Sequence, residues 1–268
     1  QSVLQSKLAN PGVAILEQGR LLGYMVTSEQ FPKKGQQAVL VHEYGHAAIA
    51  DGKQRLYQAM YQSLAQEWVN RHTHLHLIGC FAHDALLQET LYQLGFGALV
   101  AERLRDVSAI DASRPQSVKE ERDVSKLVDL HMEHIRYYPQ SPIFISRSID
   151  RPSALADLES HAQNGDVFFV FCEQDKPCAY MIVGKSAIGA EGFLLQETNT
   201  SQIKSAYARP NCRGKGIGNA LLQRAIQWSK QQGYERVFVE HETANIAGSR
   251  FWRIYFTPYI FRRAASYR

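Results

Sequence analysis

Residues 213–218 of the chain read Arg-Gly-Lys-Gly-Ile-Gly, and this stretch decides the assignment of the fold. It follows a strand-like run from Ile203 to Ala208 and precedes a stretch of helical periodicity that extends to about Gln232. Glycine lets the backbone approach a ligand closely, and the free N–H groups at the start of a helix attract phosphate. The arginine and the lysine add positive charge. The stretch therefore predicts a loop that binds a diphosphate group.

Motifs on both sides of the loop occur in an order that is typical of one protein family. Tyr207 and Ala208 come before it, and Asn245 and the pair Phe251-Trp252 come after it. In this order the motifs resemble the GNAT superfamily of N-acetyltransferases, whose acetyl-CoA loop reads Arg/Gln-x-x-Gly-x-Gly/Ala. The resemblance implies an α+β fold, with a mixed, mostly antiparallel sheet flanked by helices. It also implies that acetyl-CoA is the co-substrate.

The resemblance assigns roles to residues around the loop. Backbone amides at the end of the preceding strand would hold the thioester arm, the loop would hold the diphosphate, and an asparagine would steady the pantetheine. The implied acetyl-CoA-binding residues are Tyr207, Ala208, Arg213, Gly214, Lys215, Gly216, Ile217, Gly218 and Asn245. The reaction implied is direct attack by a primary amine on the thioester in a ternary complex.

Such a transfer needs a base for the amine and a proton for the departing thiolate. Glu240, Glu242 and Glu197 are the candidate bases, with a water chain as the alternative. The family often has a tyrosine as the acid where this chain has Trp252, and an indole cannot supply a proton near neutral pH. Tyr255 is the expected substitute and Tyr259 the next choice, unless these aromatic residues only pack and solvent protonates the thiolate.

Composition is that of an ordinary globular protein. The 268 residues are 45% hydrophobic and 21% charged, with a net charge of +4 that suits an anionic ligand without a nucleic-acid patch. No apolar run approaches the ~20 residues of a membrane span, and nothing resembles a signal peptide. The four cysteines form no C-x-x-C pair, which predicts reduced thiols in a cytoplasmic protein. We expect neither a membrane nor a nucleic-acid partner.

The chain also contains an internal repeat. At an offset of 160 residues, Trp68 aligns with Trp228 and Phe96 with Phe256. Both copies place a helix before a short apolar strand, and the first of these helices is predicted over Lys53 to Asn70. We therefore expect tandem domains at 1–107 and 117–268, joined by a linker at 108–116.

The same offset projects the loop glycines onto bulky residues. Gly216 falls on Leu56 and Gly218 on Gln58, whose side chains would occupy the space of a diphosphate. This predicts that the first copy is degenerate, with a packing or substrate-shaping role, although a ligand site on another loop remains an alternative. In the second copy, further helices are predicted from about Asp123 to Tyr137 and from Ser153, as N-cap, to Gly165.

Two histidine patterns raise the alternative of a metal site. Residues 42–46 read His-Glu-Tyr-Gly-His, the zinc-peptidase pattern if it lies on a helix, with Glu67 as a conceivable third ligand. Residues 38–41 favour a strand, however, which would separate His42 from His46 by roughly 13 Å. Residues 72, 74 and 76 are histidines that would share one face of a strand. Neither pattern outweighs the acetyltransferase interpretation, and we predict no metal.

A further alternative is a protein that binds acyl-CoA without catalysing a transfer. Trp252 and the degenerate first copy would also suit a non-catalytic protein that binds or senses acyl-CoA.

The start of the chain carries one more expectation. The first copy has only 12 residues before its hairpin, whereas the second has a strand and two helices there. A sheet without its first strand would expose an unpaired edge. We therefore expect the natural polypeptide to extend upstream by some 40 to 50 residues, unless the first copy is a half-domain whose open side packs on its neighbour.

Overall fold

The computed structural model describes residues 9–27, 30–33, 35–110, 117–186 and 199–267. The chain divides into two compact units. The first unit comprises Gln1–Glu102 and Pro258–Arg268, and the second comprises Arg103–Thr257.

The first unit combines two small sheets with two helices. Its elements are β1 Gly12–Glu17, β2 Arg20–Val26, β3 Phe31–Lys33, β4 Gln36–Val41, β5 His46–Ala48, α1 Lys53–Asn70, β6 Leu75–Phe81, α2 Ala85–Gln93, the first part of β7 Gly97–Asp106, and nearly all of β13 Thr257–Ser266. β1, β2 and β5 form an antiparallel sheet. The other sheet has the order β3-β4-β6-β13, in which only the β4–β6 pair is parallel.

The second unit is a sheet with helices on both faces. Its elements are the end of β7, β8 Val118–Glu120, α3 Val128–Tyr137, α4 Arg151–Gln163, β9 Val167–Glu173, β10 Lys176–Lys185, β11 Thr200–Ala208, α5 Ile217–Gln231, β12 Arg236–Glu242 and α6 Ile246–Tyr255. The strand order is β12-β11-β10-β9-β8, antiparallel except between β11 and β12. One apolar cluster packs α5 against the sheet, and another packs α3 and α4 against it.

These elements confirm the predicted fold class, a mixed and mostly antiparallel sheet flanked by helices. The helix predicted over Lys53–Asn70 has those bounds, because its buried residues recur at helical spacing. The prediction of Ser153 as an N-cap is wrong. Asp150 is the cap and accepts a hydrogen bond from the Ser153 N–H at 2.8 Å, since Pro152 is tolerated in the first turn of a helix.

The units differ from the predicted boundaries at two strands. The C-terminal strand β13 pairs antiparallel with β6 over Ile260–Ser266 and so belongs to the first unit. The end of β7 belongs to the second unit, where Arg103 donates to the ring of His241 at 3.0 Å and to the carbonyl of Phe256 at 3.3 Å. Pairing between residues so distant in the chain left no local signal in the sequence.

All four cysteines are free thiols. Among the helices described, none is long and apolar enough to cross a membrane.

We predict that β13 stabilises the first unit. Ile260 is fully buried, so Ile260→Ala should cost about 2–5 kcal/mol by removing packed methyl groups. Hydrogen exchange followed by mass spectrometry should show lost protection in β4 and β6 and little change in β9 and β10. The neighbouring variant Tyr259→Ala, at a residue 39% exposed, is the control. Loss of protection in β9 and β10 instead would contradict the pairing.

Candidate functional site

The site begins where two parallel strands stop pairing. β11 and β12 pair over Thr200–Ile203 and Arg236–Val239, and each strand continues beyond its last paired residue. β11 runs on to Ala208 and β12 to Glu242. The facing edges of these extensions leave backbone groups that the pairing does not use. We call the space between the two extensions the strand cleft.

A bulge in β11 marks the start of the strand cleft. Ile182 of β10 aligns with Ser205, and Val183 aligns with Ile203, so Lys204 is an extra residue on β11. A bulge bends its strand and redirects the side chains that follow. Here it turns β11 away at the position where the pairing with β12 ends.

A buried carboxylate pins the bulge. Lys204 Nζ and His161 Nδ1 each lie 2.7 Å from the carboxylate of Asp166, whose side chain is completely buried. A Cβ on Gly184 would come within 1.8 Å of the same carboxylate, so only glycine fits there. Burial alone would raise the pKa of Asp166, but the hydrogen bonds from His161 and Lys204 outweigh it and the pKa is lowered.

The glycine-rich loop follows β11 directly. A 3-10 turn at Pro210–Cys212 reverses the chain, and Gly214 and Gly216 then adopt positive φ angles of 72° and 82°. Gly216 is the N-cap of α5, so the first N–H groups of this helix face outwards from the loop without helical partners. A Cβ on Gly218 would meet the ring of Phe251 at 3.1 Å, so this glycine lets α5 pack on α6.

The two basic residues of the loop point in different directions. Arg213 Nε donates to the carbonyl of Ala208 at 2.9 Å, and its guanidinium lies 5.2 Å from the ring of Tyr137 and 5.8 Å from that of Tyr207. Lys215 lies 3.5 Å from the carboxylate of Glu173, and both side chains are about half exposed. Both residues are exposed to solvent, but the arginine lies against the two tyrosine rings and the lysine lies beside a carboxylate.

Asn245 holds the start of α6. Its side-chain oxygen accepts from the N–H of Gly248 at 3.0 Å and from the hydroxyl of Tyr137 at 3.2 Å. The side chain therefore connects the N-terminus of α6 to α3, on the β12 side of the strand cleft.

Two of the three candidate bases lie near a half-buried tyrosine, Tyr138. Glu240 is exposed and Glu242 is half-buried. Burial raises the pKa of Tyr138 to about 12, and the negative charges of Glu242 and Glu240 contribute to the shift. Arg147 lies 4.5 Å from the ring of Tyr138. The end of β12 thus places two carboxylates near the ring of Tyr138. The third candidate base, Glu197, lies outside the described residues.

The candidate acid belongs to an aromatic cluster on α6. Trp252 is 7% exposed and packs edge-on against Phe251 and Phe256, with centroids 4.9 and 5.5 Å away. Tyr255 is half-buried, 5.3 Å from Phe251. Trp252 is therefore a core residue, and Tyr255 is the hydroxyl of this helix that keeps contact with solvent.

Sequence reasoning missed a polar network beneath the sheet. The hydroxyl of Tyr180, on β10, lies 2.8–3.1 Å from ring nitrogens of His131 and His134 and from the hydroxyl of Ser205. The two histidines are spaced i, i+3 on α3, which places them on one face of that helix. Two histidines at this spacing, among apolar positions of a predicted helix, were the only sign in the sequence of a buried polar network.

The segment His42–His46 does not form a zinc site. β4 ends at Val41, a turn follows, and β5 begins at His46, so the five residues lie neither on a helix nor on one continuous strand. The ring nitrogens of His46 are engaged by the hydroxyl of Tyr57 at 2.8 Å and the carbonyl of Gly79 at 2.7 Å. No group of three metal ligands among the described residues includes any of the five.

The expectation of three histidines on one strand face is also wrong. His72 adopts a positive φ of 58° in a turn, and His74 precedes β6. His76 alone lies on the strand, where the hydroxyl of Tyr61 and the carbonyl of Thr73 engage its ring nitrogens at 2.9 and 3.0 Å. The turn after α1 delays the start of the strand and breaks the alternation.

In the first unit, the counterpart of the strand cleft is filled. β4 and β6 pair in parallel only up to Val41 and Ile78. The chain beyond Val41 then turns onto β6, where a Cβ on Gly79 would meet the backbone nitrogen of Glu43 at 3.0 Å. Glu43 is buried, and burial raises the pKa of its carboxyl. The residues resembling a zinc motif therefore occupy the space that is open in the second unit.

The start of α1 corrects the projection made from the repeat. Gly52, not Leu56, is the left-handed N-cap of α1, with φ of 66°, and so corresponds to Gly216. The offset of 160 fails here because α1 has 18 residues and α5 has 15. Counting back from the caps, Asp51 stands where the second unit has Lys215. Lys53 forms an ion pair of 2.6 Å with Asp84, the N-cap of α2, which closes the gap between the two helix starts.

A dithiol lies beneath the loop of the second unit. Single ligand atoms of Glu173, Cys178 and Cys212 all lie within 4.8 Å of one another. Burial raises the pKa of Cys178 to about 12, with a contribution from the adjacent Cys212. Both thiols belong to the apolar cluster that packs α5 against the sheet, beneath the turn that leads into the loop.

Comparison with known proteins agrees with this geometry. Residues 129–255 match the model of the Acetyltransferase (GNAT) family, so this part of the chain is similar to a GNAT-family domain. A GCN5-related N-acetyltransferase from Sphaerobacter thermophilus is similar in structure, with a TM-score of 0.60 at 12% identity over 99% of this chain and 84% of that one. A GNAT-family acetyltransferase from Colwellia psychrerythraea has a TM-score of 0.53 at 9% identity, over 98% and 87%. No curated protein matches the sequence significantly.

We predict that Asp166 stabilises the fold in a pH-dependent way. Because its pKa is lowered in the folded state, the contribution is complete above the ordinary value of 3.8 and disappears as the pH falls through the folded value. Urea unfolding at pH 6 should show Asp166→Asn to be less stable by about 3–5 kcal/mol. The difference should shrink below pH 3.8. A difference that grows on acidification would show that the carboxylate is not stabilised by its partners.

Proposed function

We propose that the second unit binds acetyl-CoA and transfers its acetyl group to a primary amine. The observation that carries this proposal is the strand cleft opening directly onto a left-handed glycine cap at the start of α5. A splayed strand edge offers backbone N–H groups to a thioester arm, and the helix start offers them to a diphosphate. The two lie on consecutive elements, as one extended ligand requires.

The residues fit the parts of acetyl-CoA in order along the chain. The amides at Tyr207 and Ala208 would orient and polarise the thioester carbonyl. Residues 214–218 and the first turn of α5 would hold the diphosphate, with Lys215 as the nearby cation. Asn245 is held at the start of α6 by its hydrogen bond from Tyr137 of α3, on the β12 side of the strand cleft, and would steady the pantetheine arm from there. The four free thiols suit a reducing compartment such as the cytoplasm.

The end of β12 suits a cationic acceptor. Glu240 and Glu242 supply negative charge, and the ring of Tyr138 supplies an aromatic face beside them. Glu242 is the preferred base because it is half-buried and exerts the larger of the two effects on Tyr138. Tyr255 is the preferred proton donor for the thiolate, because Trp252 is buried in the core.

The first unit would not bind acetyl-CoA. Its cleft is filled by residues 43–46, an ion pair joins its two helix starts, and an exposed aspartate replaces the loop lysine. Each of these features removes space or positive charge from the route that a diphosphate would take. We therefore propose a tandem arrangement in which one copy binds the cofactor and the other has a structural or substrate-shaping role.

Gly216 and Gly52 provide a matched pair of variants. Both are left-handed N-caps, so valine at either position imposes similar backbone strain. We predict that Gly216→Val weakens CoA binding by more than about 100-fold, a loss of roughly 2.7 kcal/mol. Gly52→Val should bind as the wild type does, as measured by isothermal titration calorimetry. Equal losses in both variants, or a loss only in Gly52→Val, would refute the assignment.

The roles on α6 and β12 predict separate kinetic effects. Across a panel of amines, Trp252→Phe should retain most of the thiol release, whereas Tyr255→Phe should slow it without weakening CoA binding. Glu242→Gln should lower kcat/KM by about 10²-fold, the usual size of a general-base effect. Equal effects of Trp252→Phe and Tyr255→Phe would indicate packing rather than proton transfer.

The same panel separates the transferase from a non-catalytic binder. A protein that binds CoA and releases no thiol with any amine would be a sensor of acyl-CoA rather than an enzyme.

A further inference from the structure

A buried chain of hydrogen bonds leads from β11 to the surface of α4. Ser205 Oγ lies 3.1 Å from the hydroxyl of Tyr180, which lies 2.9 Å from His131 Nδ1. His131 Nε2 lies 2.9 Å from the carboxylate of Asp157. Tyr180 is fully buried and His131 is 3% exposed, whereas the side chain of Asp157 is 50% exposed.

The carboxylate of Asp157 determines the direction of every hydrogen bond in this network. An ionised carboxylate only accepts hydrogen bonds, so His131 donates from Nε2 and its Nδ1 is an acceptor. Tyr180 must then donate its single proton to His131 Nδ1. The oxygen of Tyr180 is left to accept from Ser205 and from His134 Nδ1, the latter at 2.8 Å. Every donor therefore points away from β11 and towards Asp157.

The inner end of the chain lies at the strand cleft. Ser205 directly follows the bulge residue Lys204 and comes two residues after Ile203, the last residue of β11 that pairs with β12. Its side chain lies on the same face of β11 as that of Tyr207, whose ring stacks on His134 with the centroids 5.1 Å apart. The relay thus begins on the segment of β11 proposed to hold the thioester.

We propose that Ser205, Tyr180 and His131 carry the proton of the attacking amine from the strand cleft to Asp157 at the surface. This proposal rests on the acetyltransferase function proposed above. The amine nitrogen forms a C–N bond to the acetyl carbon, and the C–S bond breaks. Glu242 takes the first proton of the bound ammonium, and after the attack the nitrogen gives its second proton to the oxygen of Ser205, directly or through one water.

The remaining steps balance the proton. Ser205 passes its own hydroxyl proton to Tyr180, and Tyr180 passes its proton to His131 Nδ1. The imidazolium that forms faces Asp157, and Nε2 releases one proton to solvent through that carboxylate. The CoA thiolate takes up one proton, so the reaction of an acceptor that enters as the ammonium releases one proton overall.

The charges around His131 suit a neutral proton acceptor. Burial lowers the pKa of His131, Asp157 opposes that shift, and His161 on α4 adds to it. Tyr180 faces it from β10, and His134 faces it from its own helix. Burial lowers the pKa of His134 to about 3, so this second histidine stays neutral and donates a hydrogen bond without acting as the base.

A similar tyrosine–histidine pair in the first unit belongs to a hydrogen-bond network that ends at backbone carbonyls instead of a carboxylate. Tyr61 lies 2.9 Å from His76 Nδ1 and donates to Tyr267, whose hydroxyl donates to the carbonyl of Leu94. The other nitrogen of His76 lies 3.0 Å from the carbonyl of Thr73. Backbone carbonyls do not take up a proton, so this network can only be structural. It supplies a matched control for the loss of a buried hydroxyl.

The test compares variants in steady-state kinetics across pH, with the intact chain and an amine that the wild type acetylates. Ser205→Ala and Tyr180→Phe should each lower kcat at pH 7 by about 10²-fold, with the KM for acetyl-CoA unchanged. Ser205→Thr, which keeps the hydroxyl, should restore most of the rate. The defects should shrink at alkaline pH, where hydroxide takes this proton in place of the relay. Asp157→Asn should give a smaller loss.

Tyr61→Phe controls for stability and should leave kcat and its pH dependence unchanged. Should Tyr180→Phe keep the pH profile of the wild type, or lose no more activity than Tyr61→Phe, the relay would be overturned and the transferase would stand. Should the wild type bind CoA and release no thiol with any amine, the transferase proposal fails and the relay fails with it.

Discussion

The buried ion pair between Lys204 and Asp166 is the constraint on which the candidate site depends. It fixes the extra residue in β11, and the bulge turns the strand away from β12 at the point where their pairing ends. Gly184 makes room for the carboxylate, and His161 supplies its second partner. A neutral residue at Lys204 would leave the buried carboxylate without its charged partner, and a residue larger than glycine at position 184 would displace that carboxylate.

The two units contain the same arrangement of elements, but the cleft is open in the second unit and filled in the first. Each has a parallel strand pair followed by a helix that begins at a left-handed glycine. In the second unit, the chain beyond the pairing stays extended and leads into a basic loop. In the first unit it folds back onto Gly79 and buries Glu43 and His46. The filled cleft is the basis for our proposal that the first unit does not bind the cofactor.

Local patterns allowed much of the fold to be predicted. Helical periodicity gave the bounds of α1, and the glycine loop marked the start of α5, because both signals lie within a few residues. The partner of β13 could not be predicted, because strand register over such a separation depends on tertiary packing. The correspondence of Gly52 with Gly216 was missed, since a change in helix length shifts the repeat offset within one element.

The site was predictable to a smaller extent. The loop, Asn245 and the carboxylates of β12 follow from motif order. The network from Ser205 to Asp157 joins two helices and two strands, and no spacing in the sequence brings those residues together. His42 and His46 show the converse: a pattern of catalytic appearance serves packing, because a turn separates the two residues.

Hydrogen exchange of the intact protein, measured with and without saturating CoA, distinguishes the two units as binding sites. We expect CoA to slow exchange at the amides of Tyr207, Ala208 and residues 214–218 and to leave residues 42–54 unchanged. Protection confined to residues 42–54, or no protection in the glycine loop, would contradict this expectation.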